Sequence, residues 1–407
     1  MKKTNRFSSP GFYDRQWEQR HFQNLLSDGQ NILITAPRRV GKTELAYKLL
    51  DWAADNEWLT TYANIEHGQS EADFFDELVS ALANAGVQPG ILDQFRNARA
   101  NLRKLLPRSA KISNGEQSIE IALNDEAEDA LVKTQERLSQ LLQSLTPDGR
   151  VVLVALDELP IFLSTLSSQP NGEARIAALL HWFRKLRTDP KLRRVRWLLC
   201  GSIGLDTFVE QRAMAGSIND LKPEKLGPFE HPIAVEFVKH RGRICPEAIE
   251  IPDELAEEIV SLVGWPLPYY LRLMVEELTA LPPGGRSKPF PSSADVSAAY
   301  SVLISPDKKV QFMHWVGRLD LQFGKIVGQT AHAILKQCCQ KPTGTTTGRL
   351  RALLIKRSPH GDPDALERQL ADVLSILERD GYLHSVDNRW AFRSFLLRDF
   401  WSRHVTL

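Results

Sequence analysis

The hydrophobic pattern of the first 230 residues alternates between short apolar runs and longer amphipathic stretches. Residues 31–35 form an apolar run that is typical of a strand buried on both faces of a sheet. The same reasoning predicts further strands at 58–65, within 150–160, at 197–200 and at 225–229. Amphipathic helices are predicted between them, for example at 71–85 and 174–187. This alternation predicts an α/β fold, a parallel sheet with flanking helices.

The pattern changes at residue 231, after which only helices are predicted up to about residue 280. A segment rich in proline, glycine and serine at 281–293 predicts a linker or long loop. Near the C-terminus, helices at 323–337, 348–356 and 364–379 precede a hairpin around Asp387-Asn388. This order is that of a winged helix-turn-helix. We therefore expect three domains: an α/β domain (1–230), an all-α lid (231–295) and a winged-helix domain (296–407).

An insertion is predicted within the α/β domain at about 100–150. Residues 109–123 alternate apolar and polar side chains around Asn114-Gly115, which indicates a β-hairpin. A long amphipathic helix at 125–145 follows. Such hairpins often mediate contacts, although a surface hairpin without a function is the simpler interpretation.

The turn after the first predicted strand has the chemistry of a phosphate-binding loop. The order strand, tight turn and helix, with Gly41-Lys42-Thr43 at the helix start, is how a P-loop is built. Loop amides and the helix N-terminus bind phosphates, the lysine reaches the terminal phosphates, and the threonine hydroxyl binds Mg²⁺. One position departs from the pattern, because Ala36 stands where the first glycine is usual. The predicted nucleotide contacts are Ala36, Pro37, Arg38, Arg39, Val40, Gly41, Lys42, Thr43 and Glu44.

Two acids end the predicted strand within 150–160. In a P-loop protein the first acid supports Mg²⁺, and the second activates the attacking water. These roles fall to Asp157 and Glu158. The alternative is a buried strand that merely ends in an acidic turn, which the preceding G-K-T disfavours. The cofactors expected from the two motifs together are ATP and Mg²⁺, with Thr43 and Asp157 at the metal.

Two further residues are candidates for sensing nucleotide. Ser202 follows the strand predicted at 197–200 and lies where a γ-phosphate sensor is expected, at the carboxyl edge of the sheet. Arg212 is the one arginine between that strand and the fifth. A solvated helix arginine is the simpler interpretation of Arg212.

Composition and charge exclude several classes of protein. The chain has 407 residues, 43% hydrophobic and 25% charged, with a net charge of +1. It therefore has no global field that attracts nucleic acid or anionic membrane. Its four cysteines have neither zinc-ligand spacing nor the density of a disulfide framework, and no signal peptide or membrane-spanning run is evident. We expect a cytoplasmic protein.

Six short stretches occur in an order that is typical of one ATPase family. APRRVGKT, DELP, CGSIGL, INDL, GWPLPYYL and FRSFLLRDFW together resemble the archaeal-type ATPases, AAA-related members of the STAND class of P-loop ATPases. The resemblance spans 12–401. It implies Mg-ATP bound between the P-loop domain and the lid, and a winged helix that packs back over the nucleotide. It also implies that Pro266 approaches the adenine and ribose and that Arg15 lies on the adenine side. In AAA relatives the region of Arg212 carries a finger that acts on a neighbouring subunit. Two departures are Ala36 and the absence of a sensor or nuclease after the winged helix, so input and output are expected on a partner.

Three functions remain open from the sequence. The first is an ATP-driven switch with slow hydrolysis that acts on a protein partner or through self-association. The second is a DNA-binding ATPase resembling initiators or transposition regulators. The helix at 364–379, which would enter a DNA groove, carries Glu367, Asp372, Glu378 and Asp380 and disfavours it. The third is a nucleotide-stabilised scaffold without turnover, which only Ala36 supports.

Overall fold

The computed structural model describes Phe7 and residues 12–84, 125–146, 149–201, 204–280 and 291–405. The predicted hairpin at 109–123, most of the predicted linker and Ser202 lie outside these described residues. The chain divides into two compact units. The first comprises Met1–Ala36 and Lys42–Leu226, and the second comprises Pro37–Gly41 and Gly227–Leu407. The predicted boundary between lid and winged helix stays a prediction.

The first unit is built on the expected parallel sheet. Its strands pair side by side in the order β2-β3-β4-β1-β5. They are β1 (Asn31–Thr35), β2 (Leu59–Asn64), β3 (Val152–Asp157), β4 (Val195–Cys200) and β5 (Leu221–Lys225). The helices are α1 (Gln16–Ser27), α2 (Lys42–Asp55), α3 (Glu71–Asn84), α4 (Asp125–Ser144), α5 (Leu159–Ser167), α6 (Gly172–Thr188) and α7 (Leu205–Glu210). This confirms the predicted α/β fold.

The register of the strands aligns their carboxyl ends at one edge of the sheet. Asn64 in β2 pairs with Asp157 in β3, and Asp157 pairs with Cys200 in β4. Cys200 in turn pairs with Ile34 in β1, one residue before the strand ends. β3 is buried throughout because strands of a parallel sheet are covered on both faces. The phosphate loop and the two acids therefore begin from the same edge.

The fifth strand differs from the prediction. We expected it at 225–229, where apolar residues return, but it runs over Leu221–Lys225. Only Leu221 of this strand is buried, and among the described strands it pairs with β1 alone. Edge strands tolerate charge and proline, which Pro223 illustrates. An edge strand of sequence LKPEK does not show the apolar run on which the prediction relied.

The second unit is mainly helical, as expected after residue 231. Its helices are α8 (His231–Ile244), α9 (Asp253–Val263), α10 (Pro268–Ala280), α11 (Ser293–Leu303), α12 (Val310–Cys339), α13 (Thr347–Arg357), α14 (Pro363–Arg379) and α15 (Phe395–His404). None of the helices in the described residues is long and apolar enough to cross a membrane.

A winged helix lies within the second unit. Its antiparallel sheet has the order β6-β8-β7, from β6 (Thr345–Thr346), β7 (Leu383–Val386) and β8 (Arg389–Phe392). Asp387 and Asn388 both have positive φ at the wing turn, as a two-residue hairpin requires. α12 contains a non-helical residue, Gly324 (φ 67°), and the segment after this break corresponds to the helix predicted at 323–337.

The turn between α9 and α10 is clamped by the winged helix. A Cβ atom on Gly381 would lie 2.0 Å from the Trp265 ring, so only glycine fits there. The buried Ser394 hydroxyl donates a hydrogen bond to the Val263 carbonyl at 3.1 Å. These contacts join the α9–α10 turn to the winged helix inside one unit.

Candidate phosphate and metal site

The loop between β1 and α2 has the backbone conformation of a phosphate loop. Arg39 (φ 67°) and Gly41 (φ 96°) both have positive φ, which turns successive amides toward one side as in anion-binding nests. The 14-residue helix α2 begins directly after Gly41 at Lys42, so its N-terminal amides add to the positive potential. Ala36 is not among the described residues with positive φ. Alanine therefore replaces glycine there without backbone strain.

Lys42 is held inside the loop. Its Nζ donates a hydrogen bond to the Ala36 carbonyl at 3.0 Å, and the residue is only 7% exposed. An ammonium that lies inside the loop, beside the loop amides, suits a phosphate ligand.

Hydrogen bonds from described residues reach both carboxylate oxygens of Asp157. Thr43 Oγ1 and the Tyr62 hydroxyl both donate to Oδ2, at 2.9 Å and 3.0 Å. The Glu158 N–H donates to Oδ1 at 3.0 Å. Asp157 is 3% exposed. Donors on both oxygens fix the orientation of this carboxylate, as partners of metal-binding groups commonly do.

The backbone of Glu158 is strained at the point where the chain leaves β3. Its φ is 62°, which is uncommon outside glycine, and it lies between β3 and α5. Its N–H is shared between Asp157 Oδ1 and the Cys200 carbonyl at 2.9 Å. The half-buried Glu158 thus leaves the sheet at the edge where Thr43 meets Asp157.

Tyr62 was not among the residues predicted for the site. It lies in β2, and the only signal in the sequence was a strand next to the one that ends in acids. Burial, together with Asp157 and Tyr47 nearby, raises the pKa of Tyr62 far above its usual value. Its hydroxyl therefore keeps its proton and acts as a donor to Asp157.

Within the second unit, Arg39 is held by two aromatic side chains. Its guanidinium carbon lies 4.3 Å from the centre of the Tyr269 ring, and Nε donates to His314 Nε2 at 3.3 Å. Burial, with Arg39, Arg38 and Arg318 nearby, lowers the pKa of His314 to about 3. The imidazole is neutral at physiological pH and can accept this hydrogen bond.

The structure gives the contacts or the exposure of four other residues that are predicted to contact the nucleotide. Arg15 (φ 63°, 6% exposed) donates to Glu18 at 2.7 Å. The Pro266 carbonyl accepts the Phe229 N–H at 3.1 Å in the second unit. Glu44 is exposed in the first turn of α2, and Val40 is buried. The proposed contacts of Arg15 and Pro266 with adenine stay predictions.

Arg212 is not part of the cluster around Asp157. In the described residues it pairs with Glu173 at 3.1 Å and donates to the Ser167 hydroxyl at 3.3 Å. Its guanidinium also lies 3.9 Å from the centre of the Phe208 ring. These contacts hold the half-buried Arg212 among neighbouring side chains, and both the finger and the solvated arginine stay predictions.

The donor set around Asp157 fits a magnesium ion. Carboxylate and hydroxyl oxygens are the ligands that Mg²⁺ prefers. The Thr43 hydroxyl donates its hydrogen bond to Asp157, which leaves the oxygen lone pairs for a cation. The two residues join in this contact although they lie 114 positions apart.

Comparisons with known proteins give a fold. No protein-family model matches the chain, and no curated protein sequence matches it either. Its structure is similar to that of a Walker-type ATPase of Pyrococcus abyssi, with a TM-score of 0.60, 19% identity and 97% of each chain covered. It is also similar to the ORC2 protein of Aeropyrum pernix in ADPNP–ADP complexes, with a TM-score of 0.59 and 14% identity over 98% of this chain and 95% of that one. The chain thus has the P-loop ATPase fold that the sequence predicted.

Proposed function

We propose that this protein is a nucleotide switch that binds Mg-ATP, hydrolyses it slowly and passes the nucleotide state to its second unit. The observation that carries the proposal is the 2.9 Å hydrogen bond between Thr43 of the phosphate loop helix and Asp157 at the end of β3. The similar fold that was solved with ADPNP and ADP supports nucleotide as the ligand.

Each polar residue has a defined task in this proposal. Lys42 and the loop amides bind the terminal phosphates, and Thr43 with Asp157 holds Mg²⁺, which neutralises charge on the phosphates when bound. Glu158 accepts a proton from the attacking water. Ser202, which follows β4 in the sequence, is proposed to sense the γ-phosphate.

The proposed transmission of the nucleotide state to the second unit rests on Arg39. The loop that would bind phosphates is covalently continuous with Arg39, whose side chain contacts Tyr269 and His314. A cation–π contact of an exposed arginine such as Arg39 contributes about 0.5–1 kcal/mol, which is enough to bias two states of comparable energy. A change in loop conformation on nucleotide binding would therefore alter the second unit. A protein partner that reads this unit completes the switch.

The direct test is calorimetric titration of the whole protein with ATP, with and without Mg²⁺, followed by a turnover assay. We expect Mg²⁺ to tighten ATP binding and phosphate to be released slowly. Undetectable ATP binding would contradict the proposal. Tight binding without any turnover would favour the nucleotide-stabilised scaffold.

Arg39→Gly tests the coupling. Glycine accepts a φ of 67° without strain, so the substitution removes the guanidinium and leaves the loop free to adopt its shape. We expect ATP to bind still, because Lys42 and the loop amides remain. The response of the second unit should be lost: hydrogen exchange of α10 and the start of α12 should no longer change on adding ATP.

Arg272→Ala is the matched control. Arg272 also lies over the Tyr269 ring, at 5.2 Å, but belongs to α10 rather than the loop. The nucleotide-dependent exchange should survive in this variant. A response that persists in Arg39→Gly, or disappears equally in both, would refute coupling through Arg39.

A DNA-binding ATPase is the second candidate, because the winged helix is present. The exposed surface of α14 carries Asp364, Glu367 and Asp372 against Arg368. Glu378, near the end of this helix, is half-buried, and Asp380, just after it, is buried. Glu367 also binds both Nε and Nη2 of Arg351, at 2.5 Å and 2.6 Å. An acidic helix surface repels phosphates.

We expect duplex DNA to bind only in the non-specific range, a Kd of about 10⁻⁴ to 10⁻⁶ M near physiological salt. Fluorescence anisotropy of a labelled duplex at several salt concentrations would measure it. Asp372→Lys should tighten binding and steepen its salt dependence. A sub-micromolar wild-type Kd would promote the DNA-binding function over the switch.

A further inference from the structure

We propose that Tyr62 is a positioning residue that holds Asp157 in the orientation needed to support Mg²⁺. The inference rests on the proposed function, since it concerns the metal that accompanies ATP. Tyr62 lies outside both the phosphate loop and the strand that carries the acids.

The register of the sheet places Tyr62 beside Asp157. Tyr62 of β2 pairs directly with Ala155 of β3. Asp157 is two residues further along β3, so its side chain projects to the same face of the sheet as that of Ala155. A tyrosine is long enough to span this diagonal, and its hydroxyl donates to Asp157 Oδ2 at 3.0 Å.

The ring of Tyr62 is fixed by the helix that follows the phosphate loop. Tyr47 of α2 packs edge-on against it, with ring centroids 4.9 Å apart and planes at 68°. Tyr47 lies one helical turn after Thr43, so the two share a face of α2. Thr43, Asp157, Tyr62 and Tyr47 therefore form a closed ring of contacts in which α2 touches both the carboxylate and its second donor.

The chemical consequence follows from which oxygen each donor uses. Tyr62 and Thr43 both bind Oδ2, whereas the Glu158 N–H binds Oδ1. With Mg²⁺ bound, Thr43 would turn its oxygen to the metal, and the Tyr62 hydroxyl and the Glu158 N–H would continue to orient the carboxylate. Loss of such a supporting hydrogen bond typically weakens metal binding about 10- to 100-fold.

Tyr62→Phe removes only the hydroxyl, and Tyr47→Phe is the matched control on the packed ring. ATP affinity of the whole protein is measured by calorimetry in EDTA and over a Mg²⁺ titration, and Mn²⁺ binding in the presence of ATP by electron paramagnetic resonance. For Tyr62→Phe we expect the Mg²⁺ concentration at half-maximal tightening to rise at least tenfold. ATP affinity in EDTA should equal that of the wild type, and Tyr47→Phe should follow the wild type throughout.

The outcomes separate this inference from the proposed function. Wild-type ATP binding that ignores Mg²⁺ overturns both. A wild type that responds to Mg²⁺ while Tyr62→Phe responds identically overturns the positioning role alone. An equal shift in Tyr47→Phe, or a loss of ATP affinity in EDTA, assigns the effect to packing of the aromatic pair and also overturns it.

Discussion

Glu158→Gln leaves ATP bound but stops its hydrolysis. The amide keeps the size of the side chain and cannot accept the proton of the attacking water, which typically costs about 100- to 10,000-fold in rate. The Glu158 N–H, which binds Asp157 Oδ1 and the Cys200 carbonyl, is unchanged by the substitution. Single-turnover hydrolysis of radiolabelled ATP would measure the loss directly.

Asp157→Asn is the companion variant. Its amide nitrogen cannot accept a hydrogen bond, so either the Glu158 N–H at Oδ1 or both hydroxyls, of Thr43 and Tyr62, at Oδ2 lose their acceptor. We expect weaker Mg²⁺ retention, with both binding and turnover reduced, whereas Glu158→Gln reduces turnover alone. Wild-type hydrolysis by Glu158→Gln would show that another group is the base or that chemistry is not the slow step.

Lys42→Ala removes ATP binding. A hydrogen bond to a charged group contributes about 1.5–3 kcal/mol, or roughly 10- to 150-fold in affinity. Lys42 is additionally the cation inside a loop that would enclose several phosphate charges. We therefore expect calorimetry to detect no binding at micromolar protein concentration.

Lys48→Ala, a lysine truncation on the same helix α2, should bind ATP like the wild type. Because Lys42 is only 7% exposed, a thermal melt of Lys42→Ala must accompany the titration to show that the variant is folded. A folded Lys42→Ala that binds ATP as tightly as the wild type would refute the phosphate-loop assignment.

The sequence predicts those parts of the fold in which one local pattern decides the outcome. β1 is predicted at its observed bounds because its three central residues form a buried apolar run, as in a strand that is covered on both faces of a parallel sheet. The predicted bounds of β5 are wrong because an edge strand needs no apolar run, and this strand carries Pro223. α11 has little amphipathic character to reveal it, and β6 is two residues long.

The site residues fall into two groups, those that a local motif predicts and those that only the assembled fold brings together. Lys42, Thr43 and Asp157 follow from motifs in which chemistry fixes residue type and order, and the structure brings Thr43 and Asp157 together. Tyr62 reaches Asp157 only through the register between β2 and β3, which nothing local specifies. Arg39 meets His314 over a separation of 275 residues. Side-chain pairs of this kind come from the assembled fold and have no motif.

That separation also sets an order of events during synthesis. A ribosome adds about 5–20 residues per second, so His314 is polymerised about 14–55 s after Arg39, given the 275 residues between them. Until then Arg39 of the phosphate loop lacks its contact with His314. Under the proposed coupling, truncated chains that end before α12 would lack the contact of Arg39 with His314 through which nucleotide binding alters the second unit. The nascent protein would then respond to nucleotide only after residues of α12 have been translated.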